Sequence, residues 1–536
     1  MDHIASTIFD CLIVGSGPAG VMCAQTLVEA GKKVLLIDAG TNAEVEDPGW
    51  TGNFTDLRET NSNQESLFLG KQMELLNFES DKEFGQMTPQ RQFIMKNTRN
   101  ALPLSSDKFS LIESLSTGGL GNAWGLGCFT FSDAELLKTK LDPLSIRKAY
   151  EVIASRIGIS YTADDILSYT AEGLSSLQPG IAIDDNAKAI LQRYKKIRKR
   201  INRQSFYAGV PALALLTQPK EDRKATDYSN MDFYYNFGSA AYRPSVTIKH
   251  LQLFANFAHV RGVLVTRFDE RDQYVQLSGS NVTTNQPVQF RGKKIVLACN
   301  VCGTARIVLR SMSRYGERIP LLSNAYSIIT SLQWSRLGKM PSKNKTSTVQ
   351  VCLFLDDGNQ QADVPMASLY SYSSLMLFRL LKKSPLNFRD SLAILKYIHP
   401  ATVIAGIHHP SSADKNRYAF LDNDGTFNII SPEVADQTKQ IDATEKRFAR
   451  VLRQLGCLPY KKIRPPVGSS AHYGGTLPFS NENAPLSLSP AGLLGGTRHV
   501  YVADASGFHY LPAKGPTLTI MANAHNVALN IISNEQ

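Results

Sequence analysis

The chain has 536 residues, 43% of them hydrophobic, with a formal charge of +11 at pH 7. That length predicts two domains rather than one core, and no uninterrupted apolar run is long enough for a membrane-spanning helix. The opening M-D-H-I-A-S-T lacks the pattern of a signal peptide, so a cytoplasmic protein is expected, and the dispersed charge without a recognition motif argues against nucleic acid.

In chain order, the first strong pattern is residues 9–30, F-D-C-L-I-V-G-S-G-P-A-G-V-M-C-A-Q-T-L-V-E-A. Leu12, Ile13 and Val14 predict a buried strand, Gly15 to Gly20 a tight turn, and residues 21–30 a helix. Gly15 permits the turn, Gly17 lets backbone approach a pyrophosphate, and Gly20 lets the helix pack on the strand. The helix N-terminus adds unpaired N–H groups and a positive dipole end. Residues 33–37 predict a second strand, and Asp38 closes it where a carboxylate meets an adenosine ribose. This unit predicts dinucleotide binding, with FAD and NAD both open.

Residues 39–100 become polar and irregular, as expected of a surface excursion or lid. Residues 114–131, S-L-S-T-G-G-L-G-N-A-W-G-L-G-C-F-T-F, predict a backbone that approaches something flat or crowded. Helices are expected over 142–157 and 184–201. The second carries the basic run 193–203, either a solvated face or a site for an anionic surface such as membrane headgroups. Val263, Val265 and Phe268 alternate as a strand, with 274–277 as its partner. A buried strand over 293–300 leads into a helix over 303–312. Cys299 and Cys302 have C-x-x-C spacing but no second pair nearby, so the cysteines are expected as reduced thiols and no metal site is predicted. Strands over 348–355 and 401–408 and helices over 374–382 and 435–455 fill the middle. Near the end come S-S-A-H-Y-G-G-T-L-P at 469–478, a strand at 500–502 ended by Asp504, and a helix over 517–532 entered through Pro516.

These segments, in this order, resemble the glucose–methanol–choline (GMC) family of FAD-dependent oxidoreductases. The resemblance rests on the first turn, G-G-L-G-N-A-W, V-L-A-C-N-V-C-G-T-A-R-I-V-L-R-S, A-H-Y-G-G-T, and V-A-D-A-S with P-T-L-T-I-M-A-N-A. It is nearest to the bacterial branch related to pyranose oxidases and surface-sugar enzymes. It implies an α/β fold: a Rossmann-like FAD-binding domain with an inserted α+β substrate domain on a mainly antiparallel sheet. The expected FAD-domain parts are 1–165 (with an excursion over 41–100), 241–315 and 481–536; substrate-domain parts are 166–240 and 316–480.

The resemblance further implies that Gly15, Gly17 and Gly20 hold the FAD pyrophosphate and Asp38 the adenosine ribose. Val265 would contact adenine, and Gly118, Gly119, Asn122 and Trp124 would line the isoalloxazine and ribityl chain. Asp504 and Ala505 would meet the ribityl or phosphate oxygens, and Pro516 and Thr517 the flavin edge. His472 would be the general base for a CH–OH substrate, a sugar or polyol-like alcohol, with hydride passing to the flavin. Gly515 stands where the family usually has a second His or Asn. Lys514 or His509 would then reach in, or one histidine works alone, or the protein is a catalytically weakened FAD-binding accessory or runs different flavin chemistry. Lys514 and His509 could equally be a solvated charge and a surface residue. Ala123 replaces the His that tethers FAD in pyranose oxidases, so the FAD is expected to be non-covalent. Asn300 takes the place of a common Gly. The electron acceptor stays open.

Overall fold

Apolar runs buried on both faces become the parallel core. In the computed structural model, Ile8–Val14 lies between Pro287–Leu297 and Val34–Ile37, parallel to both. Phe257–Val260 extends the sheet beyond Val34–Ile37. The long strand Pro287–Leu297 changes partner along its length. Its first half pairs antiparallel with Val275–Asn281, and its end runs parallel to Val500–Val502. Val263–Glu270 and Val275–Asn281 form the expected antiparallel pair. The residues described are 7–40, 50, 52–62, 64–70, 89–95, 98–232, 234–343, 345–358, 362–371, 384–412 and 417–534. The helix expected over 374–382 lies outside them, as does much of the 41–100 excursion.

Helix Pro18–Glu29 covers this sheet, and the final helix Thr517–Ser533 packs beside it, with Thr26 Oγ1 2.7 Å from His525 Nδ1. Helix Pro143–Ile157 joins them, its Tyr150 hydroxyl 2.6 Å from Thr519 Oγ1. Its N-cap Asp142 accepts from the Ser145 N–H, as a helix start prefers.

The second sheet has six strands, all antiparallel, in the order Cys457–Ile463, Tyr326–Gln333, Thr402–His408, Met366–Ser371, Val351–Leu355 and Phe206–Gly209. Strand alternation separates its faces. Ile329, Ala367, Leu369, Val403, Ala405 and Ile407 point one way, onto helices Asp185–Asn202 and Ala435–Gln454. The other face shows three cross-strand rows: Tyr326, His408 and Met366; Ile328, Gly406 and Ser368; Thr330, Ile404 and Tyr370. That face is turned toward the parallel sheet, and the space between holds the candidate site.

Candidate functional site

A cavity of about 1400 Å³ runs between the two sheets. Two helix N-termini open into it, Gly17–Ala19 from the first helix and Gly515–Thr517 from the last. Neither N-terminus is closed by a side-chain cap, so backbone N–H groups and two positive dipole ends face one space. The first turn is shaped for this. Gly15 has φ +100°, and a β-carbon there would press on the Ala298 carbonyl; at Gly20 one would overlap the Gly15 carbonyl. At Gly17 a β-carbon would meet nothing within 4 Å, which leaves an open cradle. Gly119 lies over it, and Trp124 lines the cavity with its indole N–H fixed on the Tyr242 carbonyl at 3.0 Å. Val265, Asp504 and Ala505 also line the wall. Burial pushes the Asp504 carboxyl above the usual range, opposed by hydrogen bonds from Ser506 and Thr304. Asn300 has φ +65°, which explains a glycine-like position, and its side chain accepts from the Val301 N–H at 2.7 Å to start helix Val301–Ser311.

His472 sits on the cavity wall. Its Nδ1 is 3.2 Å from Asn324 Oδ1. Asn324 has no freedom to flip, because its Nδ2 donates to the carbonyls of His409 (2.8 Å), Pro512 (3.1 Å) and Leu511 (3.2 Å). An oxygen therefore faces His472, which fixes the proton on Nδ1 and leaves the Nε2 lone pair for the cavity. Burial holds the imidazole down to about 4, so it is neutral across the neutral range. Ala471 enters this position with φ +57°, a left-handed conformation costly for alanine.

A second imidazole meets the first. His408, at the end of its strand, stacks on His472 with ring centroids 4.9 Å apart and planes at 21°. Tyr326, its cross-strand partner, has its ring centroid 4.6 Å away. His408 Nδ1 is buried without a hydrogen-bond partner. Burial, and then the neighbouring His472, pushes its pKa well below the ordinary value. His408 and Asn324 escape the sequence reading, although the expected strand over 401–408 put Ile404, Gly406 and His408 on one face.

Several expected site residues are placed elsewhere. Lys514 is 1% exposed, and its ammonium donates to Glu135 at 2.7 Å and to the Thr130 carbonyl at 3.0 Å. It is neither a solvated charge nor a cavity group; it neutralises a buried carboxylate. His509 Nε2 lies 2.7 Å from the Phe479 carbonyl, away from the cavity lining. Asn122 turns its amide back onto the Thr117 carbonyl at 2.7 Å, and Gly118, with φ +90°, is folded beneath it. These two shape the loop instead of lining the cavity. Asp38 does line the cavity, but Ser16, the Gly40 N–H at 2.6 Å and Thr117 at 3.2 Å already occupy its oxygens. Gly515 leaves room, since a β-carbon there would come no nearer to another atom than 3.5 Å, at Phe129 Cδ2. Cys299 and Cys302 are free thiols, and burial pushes Cys299 up to about 12.

Fold and site together define an α/β protein with a dinucleotide cradle between two sheets. A family model described as pyridine nucleotide-disulphide oxidoreductase matches residues 9–114. The solved pyridoxine 4-oxidase from Mesorbium loti superposes with a TM-score of 0.57 at 12% identity, covering 97% of this chain and 98% of that one. The chain therefore shares the fold of that oxidase. The residues present fit a dinucleotide cofactor. Gly17 and Gly119 leave the cradle open, and the second bare helix N-terminus stands in the same cavity.

Proposed function

We propose that the protein is an FAD-dependent oxidoreductase that oxidises a CH–OH group of a sugar or polyol-like substrate, with His472 as general base. The observation that carries this reading is the 3.2 Å contact between His472 Nδ1 and Asn324 Oδ1 on the cavity wall, which leaves Nε2 to act as the base. Bound FAD would supply the hydride acceptor. The chain's own part is to take the hydroxyl proton on His472 Nε2, while Asn324 holds the ring and stabilises its charged form. His408 adds a second imidazole beside His472 on the cavity wall. A polyhydroxylated ligand is supported by the hydroxyl-bearing side chains Ser368, Tyr326 and Tyr370, which line the cavity floor. Ala123 gives the wall only a methyl group, in keeping with non-covalent FAD.

The test is anaerobic mixing of the purified protein with sugars and polyols. An alcohol that bleaches the oxidised-flavin absorbance supports the reading, and a protein that never carries flavin removes it. His472→Ala should keep the flavin and slow bleaching about 100- to 10,000-fold, the usual range for a general base. An unchanged rate would take His472 out of the chemistry.

A further inference from the structure

Helix Phe388–Ile398 is rich in apolar residues, yet only Ser391 and Leu395 are buried. Its exposed flank carries Ile394 and Tyr397, the latter 56% exposed. This flank is continuous with two other segments. The Gly338 N–H donates to the Tyr397 carbonyl at 3.0 Å, which brings in the 334–340 turn with Trp334 (60% exposed) and Met340 (68%). The Trp334 N–H in turn donates to the Gly456 carbonyl at 3.1 Å, just before the sheet-edge strand Cys457–Ile463, which exposes Leu458 and Tyr460. Six large exposed apolar side chains thus lie on three segments that these backbone hydrogen bonds hold side by side.

The charge on this surface is one-sided. Segments 334–340, 386–398 and 457–463 contain six cations and one acid, Asp390; Arg336 is paired with Asp185 and Lys462 with Glu445 and Asp442, which leaves Lys339, Arg389, Lys396 and Lys461. Asp390 is engaged by Asn387 at the start of the helix, with Nδ2 to Oδ2 at 2.6 Å. Lys339, Arg389, Lys396 and Lys461 are solvent-exposed. A second copy of the chain would bring like charges together, whereas phospholipid headgroups bring the complement. Trp and Tyr rings among basic residues are the side chains that settle at a bilayer interface. No helix among the described residues is long and apolar enough to cross a membrane.

We propose that Trp334, Met340, Ile394, Tyr397, Leu458 and Tyr460 form a docking surface for the headgroup layer of an anionic lipid bilayer. The edge strand that carries Leu458 and Tyr460 continues to Ile463, which lines the cavity. Docking therefore presents the sheet edge nearest the cavity to the lipid. The helix that carries the basic run 193–203 covers the other face of the same sheet and borders this surface, with Arg336 3.0 Å from Asp185 and Arg193 Nε donating to the Gln454 carbonyl at 3.2 Å.

Flotation of the full-length holoprotein with vesicles tests the proposal without reference to turnover, so its failure leaves the flavin reading standing. At low salt the protein should float with phosphatidylglycerol-containing vesicles and stay behind with pure phosphatidylcholine. The double variant Trp334→Glu/Tyr397→Glu should lower the bound fraction at least about tenfold, with flavin content and melting temperature unchanged. Should that variant fold poorly, Lys339→Ala/Lys461→Ala provides the same comparison through charge alone. No flotation with anionic vesicles overturns the proposal. So does binding lost in Lys195→Glu/Lys199→Glu but kept in both patch variants, and so does a dimer in light scattering that Trp334→Glu splits without any vesicle binding.

Discussion

Asn324 decides what His472 can do. With three carbonyls accepting from its Nδ2, the amide oxygen is left for the imidazole N–H. The consequence shows in the pH dependence. His472 is neutral down to about 4, so the acid limb of kcat/KM should fall well below the ordinary histidine value of about 6.5. Rates that already decline between pH 7 and 6 would contradict this. Stability carries the opposite signature. His399, His409, His472 and His525 are all held to about 4, mainly by burial. Between that value and the unfolded pKa the unfolded chain binds more protons, so stability rises with pH. Melting temperature should drop on acidification from pH 6.5 to 5, before most carboxylates protonate. Lys514 gives a sharper contrast. Lys514→Met removes the cation from the buried Glu135 carboxylate and leaves it only the Ser132 N–H, a loss of about 3–5 kcal/mol. Bleaching per bound flavin should not change, and adding Glu135→Gln should recover much of the melting temperature. Slower bleaching at an unchanged melting temperature would return Lys514 to the chemistry.

The glycines of the first turn act as separate parts of one element. Gly17 has φ −65°, open to any residue, and no protein atom near a β-carbon. Gly17→Ala should therefore fold normally, with apo stability within about 0.5 kcal/mol of wild type, yet retain less flavin on gel filtration. Gly20→Ala overlaps the Gly15 carbonyl and should lower apo stability itself. Equal loss of stability in both variants would contradict this division. Such local units were legible because their signal is short-range: strand, turn and helix lie within residues 8–29. Helix starts were legible for the same reason, as at Asp142 and Asp184, which each accept from a backbone N–H three residues on. The imidazole pair was not. His408 and His472 come from distant segments, and no periodicity records that their rings will stack. Lys514 misled for a related reason, since a lone lysine in a loop gives no hint that Glu135 waits for it in the core.

At the scale of the whole molecule, each sheet is assembled from stretches that alternate along the chain. The parallel sheet takes residues 8–37, 257–297 and 500–502, while the antiparallel sheet takes 206–209 and then 326–463. Interlacing sets the cavity between them and ties its two helix N-termini to opposite ends of the sequence. It also sets a timetable for synthesis. The strand Ile8–Val14 belongs in the interior of its sheet, beside Pro287–Leu297. A ribosome adding 5–20 residues per second delivers that neighbour roughly 15–60 s later. Until then a strand made to be covered on both sides has only Val34–Ile37 beside it, and the nascent chain needs shelter from its own aggregation. Helix Thr517–Ser533, which closes the cofactor cavity, is made later still. The first turn to leave the ribosome is thus among the last places to become a complete binding site.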